Sequence, residues 1–476
     1  MILPRQGTRI IRAHRVPAKG ILICLAACLS GFAYAQAPAG RAAMTPADST
    51  AFRQALAAVD AGKPQEAEPV LRRLVDRYPG NDKVNEALGL IYAEGGEVSR
   101  AIPYLQRACS DAPQSALDRM NLGGAYLKLG SAREAAGELR DVVRLEPRNA
   151  EALSELGQAY VLLHQPADAA RAFARAAAIR PQDSDLLYNW AVALADSGDP
   201  RQALAVLNRI PEDEMSDEAE SLAGDLDEKL GNSLAAVHRY QQAVAKNPSE
   251  ANLYALCVEY LRHWTWDEAK RTAAYATEKY PDSARLKLSS GVALFGSKEF
   301  PEAAKMFSEL LEQDPANRTY AEMLGRTCDE LGSGNGECAA LQDAARKHSE
   351  NAAADYYVAH EILSRPHSAA ELDEAELLLR RATAASPGLA DAWYELGRVD
   401  AERERWDESA QALQKAIALR PSFASAHYQL AKVYGHLHRP RDRSKELALF
   451  QSYSREEEDN VNTKVREMTV FLTKPE

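Results

Sequence analysis

Four stretches of the chain carry residue types able to do chemistry. His360-Glu361-Ile362-Leu363-Ser364 opens like the helix of a zinc protease, where two histidines one helical turn apart hold the metal and a glutamate activates water. Ser364 stands where the second histidine is needed, so one helical face cannot supply both ligands. Gly332, Gly334 and Gly336 have the composition of a phosphate loop, but they join two helical patterns and no Lys-Ser/Thr follows. Cys328 and Cys338 flank the turn Leu331-Gly332-Ser333-Gly334-Asn335-Gly336 and would face each other across it, which an oxidising compartment would turn into a disulfide. His263-Trp264-Thr265-Trp266 sets two indoles in a turn, either to grip a ligand or to plug a gap in the packing. No Gly-x-Ser-x-Gly turn and no metal-spaced Cys/His cluster accompany these stretches. The expectation is therefore no catalysis, no metal and no cofactor, which leaves binding as the class of function.

The elements that must position any binding residue announce themselves by repetition. Gly89, Tyr92, Ala101, Leu105, Ala108 and Pro113 return as Gly123, Tyr126, Ala135, Leu139 and Pro147, then as Gly157, Tyr160, Ala169, Phe173, Ala176 and Pro181, a period of 34 residues. Apolar positions at helical spacing inside such a period predict stacked helical hairpins. Packing suggests a role for each mark. Small residues let two helices approach, so Gly89 is expected against Ala101, Gly123 against Ala135 and Gly157 against Ala169. The tyrosines fill the wider gap one turn on, and the prolines stop each second helix. Cys109 and Cys257 fall at buried hairpin positions and read as small apolar residues.

This pattern resembles the tetratricopeptide repeat (TPR) family, with varying quality over nearly all of the chain after residue 47. The resemblance implies an all-α protein, an α-solenoid of about twelve helix-turn-helix hairpins wound into a right-handed superhelix. It also implies a concave groove lined by the first helix of each hairpin. Carried onto this chain, the lining comprises Asn121, Lys128, Tyr188, Asn189, Tyr254, Arg262, Phe295, Arg326, Tyr394, Arg398, Tyr428 and Lys432. Aromatic rings with scattered Asn, Lys and Arg suit an extended peptide or a protein segment, whose amides need partners and whose side chains need apolar pockets. The carboxylate clamp of chaperone-binding relatives is not matched, because Lys83 lacks its asparagine and the fourth unit carries Glu151 and Glu155. The asparagine run of sugar-transferase repeats is reduced to Asn121 and Asn189.

The period divides the chain as follows. Residues 48–317 read as about eight repeat units, with Gly62 and Gly198 in turns and an acidic link, Glu212-Asp213-Glu214, that would loosen the stack after the fifth. Residues 318–351 form a degenerate unit that suggests a hinge. Residues 352–458 resume the repeats, with an insertion at 364–368 inside their first unit and a polar last helix as cap, and 459–476 form a tail holding Val470-Phe471-Leu472.

Residues 1–35 read as a secretion signal, with Arg5, Arg9, Arg12, Arg15 and Lys19 before the apolar run Ile21 to Phe32 and small residues at Ala33 and Ala35. Residues 36–47 follow as a flexible leader. A competing cleavage reading is the lipoprotein-like Leu25-Ala26-Ala27-Cys28, with lipid on Cys28, although it would leave the apolar Leu29 to Tyr34 on the mature chain. Both readings send the protein out of the cytosol, to the periplasm or beyond, or to the envelope as an anchored subunit of an export complex. Without residues 1–35 the chain keeps 52 Lys and Arg against 69 Asp and Glu. That acidity disfavours nucleic acid and anionic lipid as partners, and the apolar run of the signal is too short to span a bilayer comfortably.

Overall fold

Nine successive first helices open on a capping side chain that recurs with the repeat. Asn81, Ser115, Asn149, Asp183, Ser216, Ser249, Ser283, Asn317 and Asn351 each accept a hydrogen bond from a backbone N–H in the first turn of the helix they precede. Such a cap is worth about 1 kcal/mol. Leu389 and Phe423 stand at the last two of these positions and provide no cap. At the other end, second helices stop at Asp111, Leu145 and Ile179, one residue short of the pre-proline position, which sterics hold extended.

The computed structural model describes residues 43–332 and 336–458. The signal, most of the leader, Cys28 and the 459–476 tail lie outside the described residues. Two units are present, and the division between them falls inside one helix, at Ala236 and Val237. In the first unit α1 (Pro46–Asp60) pairs with α2 (Pro64–Arg77), α3 (Asp82–Glu94) with α4 (Val98–Asp111), and α5 (Ala116–Lys128) with α6 (Ala132–Leu145). There follow α7 (Ala150–Leu162) with α8 (Pro166–Ile179), α9 (Ser184–Asp196) with α10 (Pro200–Leu207), then α11 (Asp217–Lys229) and α12 (Ser233–Lys246), which holds the division. In the second unit α13 (Glu250–Arg262) pairs with α14 (Trp266–Lys279), α15 (Ala284–Gly296) with α16 (Phe300–Gln313), and α17 (Arg318–Leu331) with α18 (Ala339–Lys347). The last pairs are α19 (Ala352–Leu363) with α20 (Ala369–Ala385), α21 (Ala390–Glu402) with α22 (Trp406–Leu419), and α23 (Ala424–His436) with α24 (Pro440–Glu458). No strand occurs among the described residues, and helices pack on their sequence neighbours. The fold is an all-α solenoid. The first helix starts at Pro46, inside the expected leader, because Thr45 caps it and a proline suits the first helical position.

The close approach within a hairpin differs from the expectation. A Cβ on Gly89 would lie 2.8 Å from Leu105, one on Gly123 2.8 Å from Leu139, and one on Gly157 2.6 Å from Phe173. The glycine therefore makes room for the large residue of the second helix, not for Ala101, Ala135 or Ala169, which are themselves fully buried. Gly291 receives Phe307 and Gly397 receives Leu413 in the same way. Side chains lean toward the N-terminus of their own helix, which carries the large residue back over the glycine. Burying a Leu or Phe there contributes about 2 kcal/mol per repeat.

Irregular units keep the logic with other residues. Helix α10 stops after eight residues, yet Ile210 and Met215 are buried at 6% and 5% exposure and anchor the acidic link. Residues 318–351, read from sequence as a hinge, lie within the second unit, and there the Cys328–Cys338 disulfide ties the end of α17 to the start of α18. Here the three atoms nearest to a Cβ on Gly325 belong to the ring of Tyr357 from the next hairpin. The 364–368 insertion ends in a capping box formed by Ser368 and Glu371. Among the described residues no helix is long and apolar enough to cross a membrane.

Candidate binding groove

Tyrosine recurs in one column of the first helices of the second unit, at Tyr254, Tyr356, Tyr394 and Tyr428. The last two carry a cation one turn on, so ring and charge share a helical face. Arg398 stands 5.9 Å from the Tyr394 ring centre and Lys432 stands 5.7 Å from that of Tyr428. Tyr428 is 45% exposed and leans on Phe450 of the capping helix at 5.0 Å, while Tyr394 leans on Phe423 at 4.9 Å. Tyr254 is half-buried beneath the Arg285 guanidinium at 5.2 Å, and Arg285 Nε donates to Glu250 at 2.8 Å.

A polar chain links three successive first helices of this unit. His360 Nδ1 lies 3.0 Å from Glu395 Oε1, its Nε2 lies 3.8 Å from Asp329 Oδ1, and Arg398 Nη1 donates to the other oxygen of Glu395 at 2.7 Å. Glu395 is 2% exposed, so its charge is held by these two partners. The hydrogen bond to Glu395 raises the His360 pKa above its usual range against the opposing effect of burial. Tyr356 stacks on the imidazole with centroids 5.8 Å apart. His360 thus bridges carboxylates of the two neighbouring first helices. Beside it, a cavity of about 110 Å³ lies against the disulfide, Asp329, Tyr357, His360 and Ser364. Arg326 pairs with Glu322 at 3.2 Å and Arg262 with Glu259 at 3.0 Å.

In the first unit Asn121 Nδ2 donates to Glu86 Oε1 at 3.0 Å, and Lys83 Nζ donates to Glu86 Oε2 at 2.9 Å. Glu86 is buried, and burial is the main cause that raises its pKa. Lys128 is exposed. Tyr188 and Asn189 are 6% and 2% exposed, and in the second unit Phe295 is 4% exposed with Phe300 against it at 5.2 Å. These three form wall rather than open surface. Of the two turn indoles, Trp266 packs where a Cβ on Gly296 would otherwise go, and Trp264 stays 42% exposed at φ 58°. Sequence reading passed over Tyr356, Glu86 and Glu395, which make these ring and charge contacts. The tyrosine column was the available signal for Tyr356, which stands three 34-residue periods after Tyr254; the 364–368 insertion comes after it and shifts only Tyr394 and Tyr428.

Profiles described as Tetratricopeptide repeat match residues 52–116, 120–184 and 254–318, and another of that description matches 161–226. One described as TPR repeat matches 397–437. The chain belongs to the tetratricopeptide repeat family, whose members typically serve as protein-interaction scaffolds. No curated protein matches it. Among solved structures, that of Naa15/Naa10 bound to HypK-THB is 15% identical with a TM-score of 0.37, covering 85% of this chain and 68% of that one. YrrB, described as a TPR protein with an unusual peptide-binding site, is 20% identical with a TM-score of 0.36, covering 39% and 95%. MamA from Desulfovibrio magneticus RS-1 is 20% identical with a TM-score of 0.34, covering 35% and 94%. Likeness at this level concerns the fold alone.

Proposed function

We propose that the chain is an exported, non-catalytic scaffold that holds a protein segment or extended peptide along its first helices and serves assembly in the cell envelope or in secretion. The observation that carries the binding reading is the repeated ring-and-cation pair, Tyr394 with Arg398 and Tyr428 with Lys432. A ring face buries apolar side chains at small entropic cost, and a cation on the same face orients a carbonyl or carboxylate. The basic and then apolar composition of residues 1–35 supports export. Capture from envelope extracts with the wild type and with Tyr428→Ala/Lys432→Ala tests the groove. The specific prey is expected to be lost while circular dichroism is unchanged, and equal recovery of the same prey by both would refute the assignment. The Leu25-Ala26-Ala27-Cys28 stretch supports a second reading, an envelope lipoprotein acting as a structural subunit of a polysaccharide or pilus export complex. Labelled palmitate found on wild type and absent from Cys28→Ser would select it.

A further inference from the structure

Among the described residues of the first unit, buried carboxylate oxygens without a hydrogen bond occur on Asp118, which has Lys83 beside it as an ion pair, and on Glu155, which has no such ion pair. Glu155 lies on α7, and its Oε2 is closed off from solvent and accepts no hydrogen bond. The carboxyl group lies across the backbone of Gly124 on the neighbouring first helix, with its oxygens 3.7 and 3.8 Å from where a Cβ there would sit. One residue earlier, Ser154 Oγ is also buried without a partner. Glu151, one turn back on the same helix, adds negative charge, and Lys128 on α5 is the nearby cation, acting at a distance without a hydrogen bond. Burial first, then Glu151, pushes the Glu155 pKa up to about 8. Two turns further along α7, Leu162 is 51% exposed.

We infer that Glu155, over the gap left by Gly124, is a subsite for the lysine or arginine side chain of a peptide held in the groove. This rests on the groove reading above and names the partner's charge. A cation placed there gives the buried oxygen the donor it lacks, relieves its repulsion with Glu151, and can lay its methylene stem toward Leu162. The chain's excess of 69 acidic over 57 basic residues draws the same class of partner. A divalent metal is a poorer occupant, because a single buried carboxylate oxygen supplies too few ligands. On binding, the carboxyl proton leaves to solvent while the ammonium or guanidinium keeps its own, so association at pH 7 releases about one proton.

The test is calorimetric titration of the full chain with acetyl-Ala-Ser-Lys-Ser-Ala-amide and its norleucine analogue, each in two buffers of different ionisation heat. The lysine peptide is expected to bind about tenfold more tightly than the norleucine peptide and to release close to one proton. Glu155→Gln should bind both equally and release none. Gly124→Leu, which fills the gap and leaves the carboxyl in place, should lose the lysine preference as well. Equal affinity of the two peptides for wild type, no binding of either, or a lysine preference that survives in Glu155→Gln would overturn the inference. Prey capture that still depends on Tyr428 and Lys432 would then show that the groove stands and only this subsite falls.

Discussion

Replacing Gly157 by alanine puts a methyl carbon 2.6, 2.7 and 2.8 Å from three atoms of the Phe173 ring. Carbon atoms pack best at about 3.5–4.0 Å, so the ring must retreat by about 1 Å. It has nowhere to go, because Phe173 is fully buried among the packed residues of α7 and α8. Overpacking of this kind costs about 1–3 kcal/mol. Against it stands the gain of about 1 kcal/mol that any exposed helical Gly→Ala change brings. Gly137 on α6 measures that gain alone, since a Cβ there meets nothing within 4 Å. Gly157→Ala should therefore be less stable than Gly137→Ala by about 1–3 kcal/mol. Phe173→Leu should not rescue it, because Gly89 and Gly123 already face leucines at 2.8 Å. Urea unfolding followed by circular dichroism gives the comparison, and hydrogen exchange in α7 and α8 localises it, as hairpins in an array open semi-independently. If Gly157→Ala proves as stabilising as Gly137→Ala, the account of the hairpin crossing fails.

Other perturbations follow from the buried and paired groups. Glu155 keeps its proton to about 8 when folded and loses it near its ordinary value when unfolded, so the wild type should lose stability as pH rises through that window, by roughly 1.4 kcal/mol per pH unit. Glu155→Gln should not, and urea midpoints for the two proteins that run parallel from pH 5 to pH 9 would refute the burial of this group. His360 and His367 pair with Glu395 and Glu402 on the next hairpin, and both have raised pKa values, His360 through its bond to Glu395 and His367 first through the Arg365 carbonyl. Their contribution is full below the unfolded histidine pKa of 6.5 and fades as pH rises through the raised values, so exchange protection in α19 and α21 should be greater at pH 5.5 than at pH 8, and less dependent on pH in His360→Gln. The Cys328–Cys338 bridge closes a ten-residue separation, and Cys328→Ser/Cys338→Ser should cost about 2–3 kcal/mol in the second unit. Thiol counting on the denatured wild type should find Cys109 and Cys257 of the described cysteines free, and four free thiols in that set would refute the bridge.

The period was legible because every hairpin imposes the same steric demand at the same positions. Gly157 with Phe173 and Pro181 is one sentence of a repeated text. What the glycine faces was misread, since residue size alone suggests that small meets small, whereas the lean of side chains along a helix carries Phe173 back over Gly157. The capping column from Asn81 to Asn351 was equally periodic and passed unread, because Asn, Ser and Asp look like ordinary loop residues until an N–H is seen pointing at each. The groove was the least legible part. Whether a ring faces outward depends on its neighbours: Phe300 covers Phe295, while nothing covers Tyr428 to the same extent. Glu155 reads as one more surface acid, and only the structure shows its carboxyl oxygens against Gly124, a residue in another repeat.

Within each unit, among the described residues, the extensive helix contacts join helices no more than two apart in chain order. Inside a unit no described helix must wait for a distant partner, so a chain delivered from one end can begin to order while the rest is still threaded. Each arriving hairpin then finds the previous one already presenting the surface it needs.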